Sequence, residues 1–495
     1  MIDAAVRAKY KVTIGIECHV QLKTKSKLFS AAGNDAREAP PNTLVNHIDF
    51  GLPGALPVLN KEAIHLASIA GFALNSQPQK FSKFDRKHYF YPDLPMGYQI
   101  TQYEEPIILG GSVEIEVDGQ KKTIGITRAH LEADAGKSTH PPGTDYSLVD
   151  LNRVGTPLLE IVSEPDMHSA AEAKAYAHEL YLRMRYAGVS DANLYYGNMR
   201  FDVNVSVSQT NELGTRTESK NLNSFRSVEK AVEYEVERQI EVLEKGGTIT
   251  QETRGWDDAK QKTFSQRSKE NADDYRYMPD PDLPPVLLDD DYIAKIKAAM
   301  PALPDEWRER LKTLGINSSS IESLLDRNGE YGLDYLERIE ESLKQDSELG
   351  NFVAKYIVND YFKITDEIKK KTEGAEPAAA YLPTRNQFAT VFRLIKESKL
   401  NSTSASVLLF DAWTLDKDSD LQKEAESKNM IQVSDEGEIA KIVKQVLGEN
   451  AKAAEDVKNG EMKAIGFLVG QVMKLSQGKA NPSLAQELIK KQLGI

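Results

Sequence analysis

Three short stretches of the chain carry side chains suited to holding a cation. In the first, Val12, Ile14, Ile16, Cys18, Val20 and Leu22 alternate with Thr13, Glu17, His19 and Gln21. A period of two marks a half-buried strand, so Glu17 and His19 project together from its polar face. In the second, Arg128, His130, Glu132 and Asp134 share parity within ITRAHLEADAG. In the third, Arg200, Asp202, Asn204 and Ser206 oppose Phe201, Val203 and Val205. If these three strands lie in one sheet, a single face carries Glu17, His19, Glu132 and Asp202. Carboxylates with one imidazole suit Mg²⁺ or Mn²⁺. Spacing alone also allows a solvated polar face with incidental pairing, the commoner fate of charged residues.

Two further stretches, Ser82–Tyr103 and Asp273–Pro285, interleave Arg, Lys and His with Tyr, and Arg254 and Arg267 precede the second. Such interleaving fits base stacking with phosphate contact, and fits ordinary tyrosine-anchored loops as well. Other machinery is missing from the sequence. Ala135-Gly-Lys-Ser138 ends like a phosphate-binding loop, but Leu131 stands where the earlier glycine belongs. No GxGxxG follows a strand, no GxSxG elbow occurs, and no amidase-type serine-rich stretch is present. Cys18 falls on the apolar face of its strand, which suits packing better than nucleophilic attack. The chain has no visible means of releasing ammonia from glutamine.

These residues need elements to position them. A length of 495 residues predicts two or three domains. Hydrophobic residues at 40% and charged residues at 28% are ordinary for a globular protein. No stretch approaches the ~18 apolar residues of a membrane span, no signal peptide opens the chain, and a single cysteine excludes a disulfide framework. Together these predict a cytoplasmic protein. The net charge of −13 argues against a general nucleic-acid binder, so any RNA contact needs a local basic patch. Up to about residue 290 strands and helices interleave without regular βαβ units, which predicts an α+β fold with an antiparallel sheet. Asp118-Gly119 marks a hairpin between Val113–Val117 and Thr123–Ile126, with a loop slightly longer than two residues. Ser169 opens a helix to about Tyr186 through a capping box with Glu172, and Ser224 opens another that Gly246-Gly247 ends. Beyond about 290 the chain reads as nearly all helix, with a linker at Lys370–Pro383, a helix capped at Asn401 and a last one after Asn481-Pro482.

Long strings in the chain are distinctive. IGIECHVQLKTKSKLFS, GLPGALPVLN, SKFDRKHYFYPDLPMGYQITQY, RAHLEADAGKSTH, SLVDLNRVGTPLLEIVSEPD, ESKNLNSF and DDYRYMPDPDLPP follow in this order. They closely resemble the B-subunit family of the bacterial aspartyl/glutamyl-tRNA(Asn/Gln) amidotransferases, and AIGFLVGQVMKLSQGKANP resembles that family's helical tail. The resemblance implies a cradle domain like that of glutamine synthetase at 1–292, a helical domain at 293–405 and a tRNA-binding helical tail at 406–495. It implies that ATP and Mg²⁺ phosphorylate the side-chain carboxylate of glutamyl-tRNA(Gln) or aspartyl-tRNA(Asn), and that ammonia then displaces phosphate. In the implied heterotrimer an amidase-like A subunit would supply the ammonia and a small C subunit would join the two, which accords with the missing amidase signature. Carried over by motif, Glu17, His19 and Glu132 would hold metal and Asp202 would join them in catalysis, with Asp202 and Glu218 as additional ligands or channel-side polar groups. Lys83, Arg86, Lys87, Arg153 and Arg276 would meet phosphate or the acyl end, and Lys474 and Lys479 the tRNA elbow.

Two departures from the family pattern stand out. Many relatives carry paired cysteines before GLPGALP, whereas SAAGNDAREAPPNTLVNHIDF has none, so no zinc is expected. A common HMEEDAGK reads HLEADAGK here, placing Ala133 where an acid usually stands. Two alternatives stay open: a free-standing carboxylate–amine ligase, and a non-catalytic tRNA-binding scaffold.

Overall fold

The computed structural model describes residues 2–268, 275–371, 381–412, 419–431, 436–461, 463–476 and 480–495. The chain forms two compact units, Met1–Pro304 and Asp305–Ile495. The first is built on a nine-stranded sheet. In chain order its strands are β1 (Lys11–Gln21), β2 (Ile108–Leu109), β3 (Ser112–Val117), β4 (Gln120–Ala133), β5 (Pro157–Ser163), β6 (Met199–Ser208), β7 (Thr217–Leu222), β8 (Glu252–Asp257) and β9 (Lys262–Ser268). They lie side by side in the order β9-β8-β7-β6-β1-β5-β4-β2, with β3 also paired to β4.

The expected antiparallel pairing holds except between β7 and β8, which run parallel. Their connection passes through a 20-residue helix, Phe225–Glu244, long enough to carry the chain back to the same end of the sheet. The hairpin is tighter than its sequence suggests. Pairing of Val117 with Gln120 leaves a two-residue loop, with Asp118 at φ 52° and Gly119 at φ 76°. Both values are left-handed, as the favoured two-residue hairpin turn requires.

Alternation along β1 is complete: every second residue from Val12 to Val20 is buried. Three helices cover that apolar face: α1 (Lys61–Ala73), α2 (Ala170–Tyr186) and α3 (Phe225–Glu244). Ile16, Cys18, Phe201 and Ile161 share one core with Tyr176, Leu180, Val228 and Val232. Cys18 is fully buried there, and burial pushes its thiol up, away from the reactive thiolate. The Ser169 hydroxyl accepts from Glu172 N as expected, but the Glu172 carboxylate reaches back to His168 N rather than to the cap itself. Ser224 caps α3 by accepting from Ser227 N.

A small three-stranded sheet, Asp85–His88, Tyr98–Thr101 and Met278–Pro279, lies beside the end of β4. Gln99 Nε2 fastens it by donating to the Ala133 carbonyl at 2.9 Å. The cysteine-free stretch before GLPGALP is held by side-chain amides and carboxylates. Asn152 Oδ1 accepts from Thr43 N and Leu44 N, both at 2.8 Å, and the buried Lys27 ammonium lies 3.4 Å from Asp49.

Among its described residues, the second unit contains helices and no extended strand. Asn401 caps Ser402–Asp411, and Asn481 caps Pro482–Leu493. The last four helices, Glu436–Glu449, Ala451–Lys458, Ala464–Leu475 and Pro482–Leu493, close on a core of their own that includes Val443, Val457, Leu468 and Leu488. No described helix is long and apolar enough to cross a membrane.

Candidate catalytic cavity

The sheet face opposite the helices is organised in rows, because residues in register on antiparallel strands point the same way. One row reads Arg200–His19–Glu160–His130 across β6, β1, β5 and β4. The next reads Asp202–Glu17–Val162–Arg128. To one side Gln21, Leu158 and Glu132 align, and to the other Glu218, Asn204 and Gly15. This face floors an open cavity of about 1140 Å³, walled by Tyr89, Tyr103, Tyr275 and Tyr277.

The three predicted strands do share one sheet, with a difference that changes the grouping. β5 separates β1 from β4 and inserts Glu160 between His19 and His130. The acids therefore gather in two clusters rather than one. His19, Glu132 and Glu160 have ligand atoms within 4.8 Å of one another, as do Glu17, Asp202 and Glu218. The expected set of Glu17, His19 and Glu132 is thus divided between them.

In the first cluster His19 Nε2 lies 3.4 Å from Glu160 Oε2, and His130 Nε2 lies 3.8 Å from both Glu132 and Glu160. Burial opposes charge on His19, but the hydrogen bond and charge of Glu160 outweigh it and lift the imidazole to about 9. Burial likewise works against the Glu160 carboxylate, yet His130 and His19 hold it well below the usual range.

In the second cluster Lys220 Nζ stands 2.9 Å from Asp202 and 3.6 Å from Glu218. Asn204 Nδ2 donates to Glu17 at 3.0 Å, Asn221 N to Asp202 at 2.8 Å and Thr253 Oγ1 to Glu218 at 3.0 Å. Burial pushes Glu17 up, and the charges of Glu160, Glu218 and Asp202 add to it. Asp202 is held down, since Lys220 and His19 overcome its burial. Either donor set fits a hard divalent cation: oxygen alone in the second cluster, oxygen with one imidazole in the first.

Of the five predicted phosphate contacts, Lys87 lines the cavity. Its ammonium lies 4.7 Å from the Tyr275 ring centroid, and Glu132 outweighs burial to keep it charged. The other four do not line it. Arg86 is saturated by Asp280 and Asp282, both at 2.8 Å, and Lys83 pairs with Glu104. Arg276 lies over the Phe90 ring at 6.0 Å. Arg153 acts from behind, donating to the Ala135 and Gly136 carbonyls and lying 3.5 Å from Asp134.

Cations outside that prediction fill the place: Arg128, Arg200, Arg216 and Lys220 all line the cavity. Arg200 and Lys220 could have been found by parity, since each shares its strand face with an acid of the site. Of the basic residues before Asp273, Arg254 is taken up by Glu235 and Glu252. The Arg267 side chain and residues 269–274 lie outside the described residues. In the aromatic wall, Tyr103 and Tyr277 stack at 3.9 Å with 9° between planes. Ala133 belongs to the core on the apolar side of β4, so an acid at that position would point away from both clusters.

A sheet-based first unit followed by a helical second one accords with the family to which the sequence matches, that of amidotransferase subunits: residues 12–294 match the GatB/GatE catalytic domain, and residues 335–493 match the GatB domain. The B subunit of an aspartyl/glutamyl-tRNA(Asn/Gln) amidotransferase from Caldicellulosiruptor saccharolyticus is 44% identical over 490 residues, covering 98% of this chain and 99% of the relative. Proteins of the same name from Halalkalibacterium halodurans and Carboxydothermus hydrogenoformans are 43% and 41% identical, each over 98% of this chain and 99% of the relative. The chain belongs to the B-subunit family of the aspartyl/glutamyl-tRNA(Asn/Gln) amidotransferases.

Proposed function

We propose that the cavity activates the side-chain carboxylate of a mischarged glutamyl-tRNA(Gln) or aspartyl-tRNA(Asn). The γ-phosphoryl group of ATP passes to that carboxylate, releasing ADP and leaving an acyl phosphate. Ammonia then attacks the acyl carbon, phosphate leaves, and the amide of glutaminyl- or asparaginyl-tRNA remains. The observation that carries this reading is the convergence on one sheet face of six side chains able to ligate a metal, with Lys87, Arg128 and Arg200 lining the same cavity. Carboxylate phosphorylation asks little covalent chemistry of a protein, and mainly requires positioning and charge neutralisation.

Bound Mg²⁺ would supply Lewis-acid neutralisation of the phosphate oxygens, held by Glu17, Asp202 and Glu218 on one side and His19, Glu132 and Glu160 on the other. Lys87, Arg200 and Lys220 add fixed positive charge where phosphate oxygens gain negative charge. Asp134, held between Arg200 at 3.2 Å and Arg153, keeps Arg200 aimed along the sheet face. The tyrosine wall limits access of water on the acyl side. On this reading the acidic sheet face would receive nucleotide and carboxylate together, as a cradle like that of glutamine synthetase would.

The same reading assigns ammonia release to an amidase partner, the A subunit, joined through a small C subunit, in the cytoplasm. The helices at 293–405 form a connecting domain, and those from 406 onward a tRNA-binding tail. Lys474 is exposed on that tail, while Lys479 lies outside the described residues. No zinc has a part in this scheme. A free-standing ligase is disfavoured by relatives named as subunits. A scaffold that has lost catalysis is disfavoured by the two intact clusters, to which position 133 does not contribute.

The test is tRNA-dependent ATP hydrolysis by the chain co-expressed with both partners, in Mg²⁺, with glutamyl-tRNA(Gln) and then aspartyl-tRNA(Asn). Phosphate release that needs the mischarged tRNA and collapses in Glu17→Ala and Glu132→Ala is the expected result. Tight tRNA binding without stimulated release, on both substrates, would leave the scaffold reading in its place.

A further inference from the structure

The cations lining the large cavity are not balanced alike. Arg200 is paired with Asp134 at 3.2 Å, Lys220 with Asp202 at 2.9 Å, and Lys87 faces the Tyr275 ring at 4.7 Å. Arg216 is exposed, where water and salt screen its charge. Arg128, on β4, also lines the cavity, and among the described residues it makes no hydrogen bond or ion pair. Its side chain is half-buried, and its Nε is shielded from water without an acceptor. A shielded cation without a counterion is costly, and an incoming anion that supplies one offsets that cost.

The backbone explains how Arg128 comes to stand there. The pairing of β4 with β5 shifts beside it: Val162 faces Arg128 and Ser163 faces Ile126, so Thr127 is an extra residue. Such a bulge bends a strand and re-aims the side chain next to it. Thr127 Oγ1 donates to Glu164 at 2.8 Å, and Ile126 enters the core. The polar parity that Arg128 shares with His130 and Glu132 therefore begins at the bulge. Across the sheet its neighbours are apolar, Val162 on β5 and Leu109 on β2. The nearest acid in its row is Glu17, two strands or roughly 10 Å away.

We propose that Arg128 holds the side-chain carboxylate of the aminoacyl group and so distinguishes the acid substrate from the amide product. This rests on the reading above, that the cavity acts on that carboxylate, and adds to it the residue that recognises the group. A guanidinium fork presents parallel N–H donors that match the two oxygens of a carboxylate, and it has no acceptor to offer. After amidation one of those oxygens has become an NH2 group, a donor facing donors, and the negative charge is gone. The product thus leaves the cation unbalanced again, which favours its release. Anions that bind through a hard cation belong instead with Glu17, Asp202 and Glu218, on the far side of Val162.

The test uses the full chain assembled with its partners, without ATP, so that nothing reacts. Binding of glutamyl-tRNA(Gln) is compared with that of glutaminyl-tRNA(Gln), the same RNA with an amide in place of the acid, and aspartyl- with asparaginyl-tRNA(Asn) likewise. The wild type should prefer the acid at least about tenfold, the factor that one charge-assisted hydrogen bond supplies. In Arg128→Gln that preference should vanish through weaker binding of the acid, while the amide binds as in the wild type. In Arg128→Ala, added guanidinium at a non-denaturing concentration should restore the preference, a rescue that a purely structural arginine would not give.

Equal wild-type binding of acid and amide, on both tRNAs, overturns the proposal and needs no variant. So does an undiminished preference in Arg128→Gln, which would give the carboxylate to Lys87 instead. Weakening of acid and amide alike in Arg128→Ala, with no guanidinium rescue, also overturns it and makes the residue structural. The ATP-dependent reading is decided separately: a wild type that prefers the acid but shows no tRNA-dependent ATP hydrolysis would lose phosphoryl transfer and keep the carboxylate site.

Discussion

The two acid clusters lie on one sheet face and share neighbouring rows, yet they balance their charge by different means. The cluster of His19, Glu132 and Glu160 uses imidazoles: Glu160 sits between His19 and His130, and His19 carries a proton up to about pH 9. The cluster of Glu17, Asp202 and Glu218 has no imidazole and relies on the Lys220 ammonium, 2.9 Å from Asp202. Burial pushes Glu17 up, and the charge of Glu160 from the neighbouring cluster adds to it ahead of Glu218 and Asp202 in its own. A cation reaching the first cluster therefore competes with a proton, and one reaching the second competes with a lysine. Hard Mg²⁺, which prefers oxygen ligands, should favour the second.

The largest effect should come from the residue that holds the first cluster together. Glu160→Gln removes the charge shared by His19 and His130 without changing the shape of the side chain. We expect tRNA-dependent ATP hydrolysis to fall at least about 100-fold, because Glu160 would ligate the cation directly and even the loss of an outer-shell partner costs up to about that much. Mn²⁺ titration followed by paramagnetic resonance should show one class of site lost and the other kept. Loss of both classes would mean the clusters act as one site, and the contrast between them would fail.

Next in size is Lys220→Ala. Removing a positive charge from beside Asp202 should tighten cation binding at the second cluster at least about tenfold, since unit charges about 4 Å apart interact by about 4 kcal/mol at an effective dielectric near 20 and a tenfold change needs about 1.4 kcal/mol. Hydrolysis should fall at the same time, because the lysine also faces the phosphates. Weaker cation binding in this variant would show that Lys220 organises the cluster instead of competing for it.

A smaller effect tests the edge that carries Glu218. Glu235, on α3, accepts from Thr217 Oγ1 at 2.8 Å, from Arg238 at 2.8 Å and from Thr263, and lies 3.0 Å from Arg254. Burial raises it, but the hydrogen bonds and charge of Arg238 prevail and hold it below the ordinary glutamate range. Its stabilisation is therefore fully present above the unfolded-state value of about 4.3, and is lost as pH falls through the lower folded-state value. Glu235→Gln should cost roughly 1–2 kcal/mol at neutral pH, and the gap to the wild type should close on the acid side. Urea melts at pH 7 and pH 3.5 that show the same gap would place the stabilisation elsewhere.

Much of this arrangement can be read from the sequence, and the failures have physical causes. β1 and β6 declare themselves because each has one wet and one dry face. β5 does not: in PLLEIVS apolar residues occupy both faces, so Glu160 reads as a lone acid in a buried run. Without β5, His19 and Glu132 look like direct neighbours and the two clusters merge into one. The basic residues fail for another reason. Composition marks the Ser82–Tyr103 stretch as a whole, while only parity says which side a residue serves. Arg86 and Lys87 are adjacent, so one turns to Asp280 and Asp282 and the other into the cavity. The parallel β7–β8 pair depends on where the chain returns after α3, which no local pattern specifies.

The smallest expected effect is the most discriminating. Thr253 donates its hydroxyl to Glu218 at 3.0 Å from β8, across the parallel pair. Thr253→Val keeps the branched shape that strands favour and removes only that donor. Glu218 keeps its contact with Lys220 at 3.6 Å, so the second cluster should loosen without collapsing. A hydrogen bond to a charged group contributes about 1.5–3 kcal/mol, and a carboxylate that can rotate toward a cation should recover part of it. The expected result is a fall of roughly threefold to tenfold in cation affinity at the second cluster, with the first unchanged. Equal weakening at both clusters would mean that the sheet face transmits strain between rows, and that their separate charge balances are not independent.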